Sequence, residues 1–356
     1  MIRFGRLGDM VLQTPLLHLL HQRYGQPCRL VTSGPWSSEL LRHCADVHDI
    51  WQLSGRHRPF LLSPERWRLA RGLRRCTGPI YVSEDVTRQL PKTRRLLRIA
   101  GVPIERCVFL ADDASAPLHW VDRLLHFGSM TPPAYDALRF PVAPESRWDA
   151  PRLTIGPDDR ADRDAWIRER GIATHPIVLV QPGNKRAMKW GRTRGDDSKA
   201  WPVAAWAELI AAVHHDLPTA CILLCGSVGE APLLQEIRIA AHVSRVNVAT
   251  RELPLRRLLS LMEIAHCMIS VDTGPSHMAA AAGCPLIVLY GAESRQKWGR
   301  RSPFGRPITE LGGPPGSRAA RDIPVDQVVA AWRNIAAFQQ ETSRLFLAGE
   351  SAFACS

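Results

Sequence analysis

The chain has 356 residues, of which 45% are apolar and 22% charged, and its formal net charge is +12. This length exceeds one ordinary domain and fits two of about 150–180 residues each. No uncharged apolar run reaches the roughly 18–20 residues that a membrane-spanning helix needs. Asp9 and Gln13 interrupt the first apolar stretch, which argues against a secretory signal and predicts a cytoplasmic protein.

The N-terminal half alternates short apolar strands with amphipathic stretches, a pattern typical of a parallel sheet covered by helices on both faces. The elements predicted in chain order are a strand stub at 2–5, a helix at 10–24, a strand at 28–32, a helix near 37–44, a strand at 49–53, a helix at 64–76, a strand at 80–83 and a helix at 87–100. The span 111–160 is rich in Pro, Asp and Arg, so the interdomain linker is predicted late within it.

The C-terminal half shows the same alternation more clearly. Strands are predicted at 177–181, 220–225, 245–247, 267–271 and 286–290, with helices at 203–214, 232–242, 254–265, 275–282 and 325–342. Each half is therefore predicted to be a doubly wound α/β unit, and two such domains place a ligand cleft between the carboxyl ends of their strands.

Positive charge is concentrated between residues 56 and 98, where twelve Arg and Lys stand against three acidic residues. Such a field favours phosphate-rich partners, namely nucleic acid, anionic lipid or a phosphorylated glycan. The simpler alternative is a set of solvated arginines on helix faces. Nucleic acid is not expected, because the stretch has few aromatic residues for base stacking and no nucleic-acid motif.

The nine cysteines are scattered, and Cys221 and Cys225 form the one close pair. Four residues apart on a predicted strand, they lie about 13 Å from each other and neither bridge nor form a zinc site. Structural cysteines in a reducing compartment are expected.

Asp196 and Asp197 are adjacent in sequence and are interpreted as solvated loop residues, so no metal site is predicted.

Three segments place charged or polar residues directly after a predicted strand. In the first, Arg3 to Asp9, a strand runs through a glycine-bearing turn into a helix. Asp9 either caps that helix, worth about 1 kcal/mol, or takes a proton from an acceptor hydroxyl at the cleft edge. Both interpretations stay open on this segment alone.

The second segment is the loop from Gln181 to Pro202, which carries six basic residues. It is either an ordinary exposed basic loop or a binding site for a diphosphate leaving group, which cations stabilise. Lys199 is the best candidate, because Trp201 and Pro202 are expected to fix the chain beside it.

The third segment, Ser270 to Met278, is a strand, a glycine turn and a helix start. The N–H groups and positive end of such a helix bind phosphate, and the Thr273 hydroxyl can add a hydrogen bond. His277 is either a buried packing residue or a ligand contact.

In this order the segments resemble the ADP-heptose:lipopolysaccharide heptosyltransferases, glycosyltransferase family 9. The matching residues are Arg3, Gly8, Asp9, Thr14 and Pro15 in the first motif, Pro182, Gly183, Lys199, Trp201 and Pro202 in the second, and Asp272, Thr273, Gly274 and His277 in the third. The stretch from Trp298 to Gly305 also looks like the family's late loop. The resemblance runs from residue 3 to about 335. Two features depart from the family: a shorter start before Phe4 and a longer, more basic loop before Lys199.

The resemblance implies a GT-B fold and an inverting transfer that uses no metal or other cofactor. The implied domains are an acceptor domain at 1–165, a donor domain at 172–324, a helix at 325–343 packing back toward the N-terminal domain, and a loose tail at 344–356. Asp9 would be the catalytic base, and Lys199, Thr273 and Gly274 would bind the donor phosphates. Asp272 and His277 would shape that site, and Glu230 would bind the nucleotide ribose.

The implied partners are ADP-heptose, an anionic lipopolysaccharide-core acceptor and, peripherally, the inner face of the inner membrane. Acceptor binding is assigned to a set of arginines, Arg6, Arg56, Arg58, Arg94 and Arg95. The alternatives are a family relative that uses another nucleotide sugar or glycosylates a protein or a different glycan, and a GT-B-like sugar-nucleotide epimerase.

Overall fold

The computed structural model describes residues 1–53, 63–84, 89–113, 118–184 and 197–353, with side chains to residue 339. The chain forms two compact units. Unit 1 comprises Met1–Thr154 and Gln296–Pro303, and unit 2 comprises Ile155–Arg295 and Phe304–Ser356. Within the described ranges no helix is both long enough and apolar enough to cross a membrane.

Unit 1 is a small parallel sheet with helices on both faces. Its strands are β1 (Cys28–Thr32), β2 (Val47–Gln52), β3 (Ile80–Val82) and β4 (Cys107–Phe109), and its helices are α1 (Leu7–Val11), α2 (Thr14–Tyr24), α3 (Ser37–Leu40), α4 (Pro64–Arg75), α5 (Leu90–Ile99) and α6 (Trp120–Ser129). Ile2 forms parallel bridges to both Val31 and Val82, so it joins the β1–β2 pair to the β3–β4 pair. The predicted strand stub is therefore reduced to one bridging residue.

The predicted helix at 10–24 is wrong in one respect, because the structure divides it into α1 and α2. Pro15 lies in the first turn of α2 and has no N–H to donate to the carbonyl of Val11. The Thr14 hydroxyl donates to that carbonyl instead, at 2.9 Å. The chain therefore begins a new helix at Thr14.

The segment Gln296–Pro303 belongs to unit 1 although unit 2 flanks it on both sides. The Trp298 ring packs against the buried Trp120 ring, with centroids 4.9 Å apart. Arg301 donates to both carboxylate oxygens of Asp122, at 2.6 and 2.7 Å, and these bonds lower the pKa of Asp122. The late segment is thus an integral part of the unit 1 structure.

Unit 2 is a six-stranded parallel sheet. Its strands are β5 (Ile177–Gln181), β6 (Cys221–Cys225), β7 (Val246–Ala249), β8 (Cys267–Val271), β9 (Leu286–Tyr290) and β10 (Ile308–Gly312), and its helices are α7 (Pro157–Glu169), α8 (Val203–Asp216), α9 (Ala231–Ala241), α10 (Leu255–Ile264) and α11 (Gly274–Ala281). The strand order is β10-β9-β8-β5-β6-β7. The direction of winding therefore reverses between β5 and β8, which is where doubly wound sheets bind ligands.

Two further helices follow, α12 (Arg295–Trp298) and α13 (Val325–Phe353). Val328, Trp332 and Ile335 of α13 are buried in the core of unit 2. Helix α13 continues to Phe353, beyond the predicted helix end at 342 or 343, through residues of good helix propensity such as Leu345 and Ala348. The loose tail stays a prediction. Packing of this helix toward the N-terminal domain stays a prediction.

Helix α7 was not predicted, because few apolar residues mark its buried side. Ion pairs attach it to α10 instead. The Asp159 carboxylate accepts hydrogen bonds from Arg256, and both side chains are buried. Arg160 and Arg163 both donate to Glu263. Hydrogen bonding from Arg160, the larger cause, and from Arg163 lowers the pKa of Glu263. Glu263 therefore contributes stability above its unfolded-state pKa, which is lost as pH falls through the lower folded-state value.

We predict that Arg256→Met lowers the free energy of unfolding by about 3–5 kcal/mol, because it leaves the buried Asp159 carboxylate without its main counter-ion. The matched control is Arg257→Met on the same helix. Arg257 pairs with Asp162, which is half exposed, so its loss costs at most about 1 kcal/mol. Urea unfolding of the two variants checks the difference, and equal losses would contradict it.

Candidate functional site

The carboxyl edge of the unit 2 sheet gathers most of the predicted site residues. Gly183 follows β5, Glu230 follows β6, and Asp272 and Thr273 follow β8. These three strands are neighbours in the sheet, and β5 and β8 flank the point where the strand order reverses. The topology therefore places these residues at the switch point, where doubly wound sheets bind ligands.

Lys199 and Asp272 form an ion pair at this edge. The Lys199 ammonium donates to an Asp272 carboxylate oxygen at 2.5 Å and to the Asp272 carbonyl at 3.1 Å. The side chains retain 15% and 8% of their exposure, so water screens the pair only partly. A carboxylate oxygen of Glu293 lies 4.0 Å from the same ammonium. The cation is thus held by Asp272, the residue before the N-cap of α11.

The backbone of Lys199 is fixed as firmly as its side chain. Its N–H donates to Asp197 at 3.1 Å, and the Asn184 amide donates to the other Asp197 oxygen at 2.6 Å. The Trp201 indole donates to the carbonyl of Ile323 at 3.0 Å and is buried. The interpretation of Asp197 as a solvated residue is therefore wrong, because its carboxylate is buried and ties the two ends of the basic loop together. The rest of that loop, 185–196, lies outside the described residues.

Thr273 occupies the N-cap of α11, and Gly274 begins the helix. The Thr273 hydroxyl donates to the carbonyl of Val271, while its N–H donates to Ser276 at 3.3 Å. A helix leaves its first N–H groups without intrahelical acceptors, so its start presents donors and partial positive charge to an anion. His277, also in the first turn, is 9% exposed. The structure therefore brings Thr273, Gly274 and His277 together beside the Lys199–Asp272 pair.

Glu230 is buried at the carboxyl end of β6. One of its carboxylate oxygens accepts the N–H and the hydroxyl of Ser227, at 2.7 and 2.6 Å. A Cβ at Gly183 would lie 2.2 Å from the other oxygen, so a larger residue there would have to displace the Glu230 side chain. The contact of Glu230 with the nucleotide ribose stays a prediction.

In unit 1, the Asp9 carboxylate has two fixed partners. One oxygen accepts the N–H of Arg6 at 2.7 Å, which is a helix cap, and the other accepts from Arg3 at 3.0 Å. The side chain remains 22% exposed. Since each carboxylate oxygen has a further lone pair, the cap leaves Asp9 able to accept a proton.

Arg3, which the first motif includes without a role, and Gly5, which the motif does not include, are further functional candidates. Arg3 is buried and donates to the Ser83 carbonyl at 2.5 Å, so it holds the Asp9 carboxylate against the edge of β3. A Cβ at Gly5 would lie 2.6 Å from that of Asp9. Both residues lie within the first segment, Arg3 to Asp9, whose spacing was the available signal. Glu293 gave no comparable signal, because it lies far from Lys199 in sequence.

The predicted acceptor arginines have different environments. Arg6 is exposed at the start of α1, and Arg95 is exposed on α5. Arg94 donates to both oxygens of Asp112 and stacks over Phe109, 3.9 Å from the ring centroid. Arg56 and Arg58 lie outside the described residues. Acceptor binding by this set stays a prediction.

Comparisons with known proteins agree with the motifs. A sequence profile described as glycosyltransferase family 9 (heptosyltransferase) matches residues 149–321. The chain is 23% identical to the lipopolysaccharide core heptosyltransferase OpsX of Haemophilus influenzae, over 54% of this chain and 56% of that protein. It is 24% identical to lipooligosaccharide heptosyltransferase 2 of the same species, over 82% of each chain. The first of these matches thus spans little more than half of the relative.

Solved structures share the fold. A glycosyl transferase family 9 protein from Veillonella parvula aligns with a TM-score of 0.73 at 15% identity, over 94% of this chain and 95% of its own. The ADP-heptose lipopolysaccharide heptosyltransferase II of E. coli aligns with a TM-score of 0.72 at 19% identity, over 95% and 98%. The predicted GT-B class of two Rossmann-like domains is confirmed.

We predict that Gly291→Ala displaces the loop that carries Lys199. The new Cβ would lie 2.0 Å from the carbonyl oxygen of Ser198. This is a backbone atom, so a side-chain rotation cannot relieve the clash. Overpacking of this kind costs about 1–3 kcal/mol, measurable by thermal or urea unfolding. Gly78→Ala is the control, because nothing lies within 4 Å of its Cβ position. A Gly291→Ala variant as stable as the control would refute the prediction.

Proposed function

We propose that the chain is a member of glycosyltransferase family 9 and that it transfers heptose from ADP-heptose to the inner core of lipopolysaccharide. The observation that carries the proposal is the Lys199–Asp272 ion pair at the start of α11. It places a fixed cation and a helix N-terminus at one switch point, an arrangement suited to a diphosphate. The names of the relatives supply the donor sugar and the class of acceptor.

On the donor side, Lys199 binds the diphosphate together with Thr273 and Gly274. The diphosphate competes with the Asp272 carboxylate for the Lys199 ammonium, so donor binding partly replaces one anion by another. Asp272 and His277 then shape the sugar side of the site, and Glu230 binds the ribose. Because Lys199 is already fixed through Asp197, little ordering is needed when the donor binds.

On the acceptor side, Asp9 acts as the general base. The acceptor oxygen attacks the anomeric carbon, its proton passes to Asp9, and the bond from that carbon to the diphosphate oxygen breaks. The electron pair of that bond leaves with ADP, whose added negative charge Lys199 and α11 stabilise. One displacement of this kind inverts the anomeric configuration.

The transfer proceeds without a metal ion, because Lys199 and the positive end of α11 provide charge that a cation would otherwise supply. The basic set Arg6, Arg56, Arg58, Arg94 and Arg95 binds the phosphates and sugar carboxylates of the acceptor. The protein works in the cytoplasm, peripherally on the inner face of the inner membrane, where a lipid-linked acceptor is presented. Turnover that EDTA does not change would support transfer without a metal ion. Turnover that EDTA abolishes and Mg²⁺ restores would refute it.

Lys199→Ala is expected to weaken ADP-heptose binding by about ten- to a hundredfold, the value of a hydrogen bond to a charged group. Calorimetry with ADP-heptose, ADP, UDP and UDP-sugars measures the effect, and Lys92→Ala is the control on unit 1. A preference for uridine nucleotides would retain the fold but reject heptose. No binding of any nucleotide would reject the proposal.

Asp9→Asn is expected to lower kcat by about 10²–10⁴-fold, the contribution of a general base, while donor affinity stays unchanged. Asn keeps the shape and one acceptor oxygen but loses one of the two bonds, to Arg3 or to the Arg6 N–H. Unchanged thermal unfolding and donor affinity would show that the loss of kcat reports on proton transfer. Release of ADP in the presence of acceptor is the measurement. Asp49→Asn is the control, because Asp49 is a partly exposed ion-pair residue of the same unit. Full activity of Asp9→Asn would assign Asp9 to capping alone.

A further inference from the structure

Helices α4 and α5 form one surface of unit 1. The buried residues of both helices, including Leu69, Leu73, Leu96 and Leu97, lie in a single apolar cluster with strand β3. The helices connect β2 to β3 and β3 to β4, so both crossovers advance in the same direction across the sheet. Right-handed crossovers of this kind place both helices on the same face of the sheet. Their outer sides therefore belong to one layer.

The outer side of α4 combines positive charge with an exposed indole. Trp67, Arg71 and Arg74 follow the i, i+4, i+7 spacing of one helix face, with Arg68 and Arg75 beside them. All five side chains are exposed, and Trp67 retains 44% of its exposure. The only acidic residue of α4 is Glu65, in the first turn.

The outer side of α5 has the same character. Arg95 and Arg98 are exposed on the side opposite Leu96 and Leu97, Lys92 is exposed at the edge of that side, and α5 contains no acidic residue. Ile99 lies at the end of the helix with 37% exposure. We call the exposed side chains of both helices the α4–α5 face. In the part of the chain that the structure describes, its arginines 68, 71, 74, 75, 95 and 98 enter no ion pair.

We propose that the α4–α5 face is the surface by which this protein docks on an anionic lipid bilayer. Arginines attract acidic headgroups, and an exposed Trp suits the boundary between headgroups and acyl chains. Long arginine side chains keep their charge among the headgroups while their stems cover apolar surface. A nucleic acid is disfavoured because the face has one aromatic ring rather than a series for stacking. The inference rests on the proposed lipid-linked acceptor and assigns its membrane to named residues.

The first test measures cosedimentation with vesicles of phosphatidylglycerol and phosphatidylethanolamine, and with phosphatidylcholine vesicles, without donor or acceptor. We expect binding to the anionic vesicles alone, weakened by salt. The triple variant R68A/R71A/R74A should bind about a hundredfold more weakly, since each basic residue contributes roughly fivefold. Alanine preserves the helix. The control triple R168A/R238A/R251A removes the same charge from exposed positions of unit 2.

The second test asks whether Trp67 enters the bilayer. Brominated lipids should quench part of the wild-type tryptophan emission, and Trp67→Phe should remove that part. Absence of binding to anionic vesicles, equal loss in the two triples, or quenching unchanged in Trp67→Phe would overturn the proposal. Neither test uses catalysis, so failure here leaves the proposed transfer intact. If transfer is correct, R68A/R71A/R74A retains turnover on an acceptor without acyl chains and loses it on acceptor in vesicles.

Discussion

A partly buried ammonium must have an anion beside it, and the Lys199–Asp272 pair satisfies that requirement at the switch point of the unit 2 sheet. Its members come from loops that follow different strands, so the pair forms only when β5 and β8 are adjacent. Asp197 and Gly291 both help to position Lys199. Asp197 accepts the Lys199 N–H, and Gly291 leaves room for the backbone of Ser198 beside it. The site is thus a consequence of strand order, and every residue around it constrains where one positive charge lies.

Unit 1 holds the Asp9 carboxylate in place and leaves it partly exposed. Arg3 and the N–H of Arg6 each bind one oxygen of Asp9, and Gly5 permits their close approach. The first strand is reduced to Ile2, yet its bridges to two neighbours suffice to place Arg3 beneath the turn. In the proposed transfer, Asp9 of unit 1 acts as the base and Lys199 of unit 2 stabilises the leaving group.

The sequence predicted what local patterns encode. Apolar runs located β1, β5, β8 and β9 closely, and the Asp272–His277 motif located the start of α11. It failed for α7, which is held by long-range ion pairs to α10 rather than by an apolar stripe. It also missed a local signal, because Pro15 divides α1 from α2. Asp197 was misjudged because its partner Asn184 lies across a long loop. The roles of Arg94 and Arg95 depend on an acceptor and not on folding, so no fold-level pattern reveals them.

The return of Gln296–Pro303 to unit 1 has a consequence for how such enzymes can diversify. A gene fragment ending near residue 154 would encode a unit 1 that lacks Trp298 against Trp120 and Arg301 beside Asp122. Recombination at a single crossover point would therefore pair residues 1–154 of one parent with the supporting segment 296–303 of the other. Viable chimaeras of this protein need three matched junctions, near residues 154, 295 and 303. New donor or acceptor preferences should thus arise more readily by point substitution within a unit than by exchange of whole units.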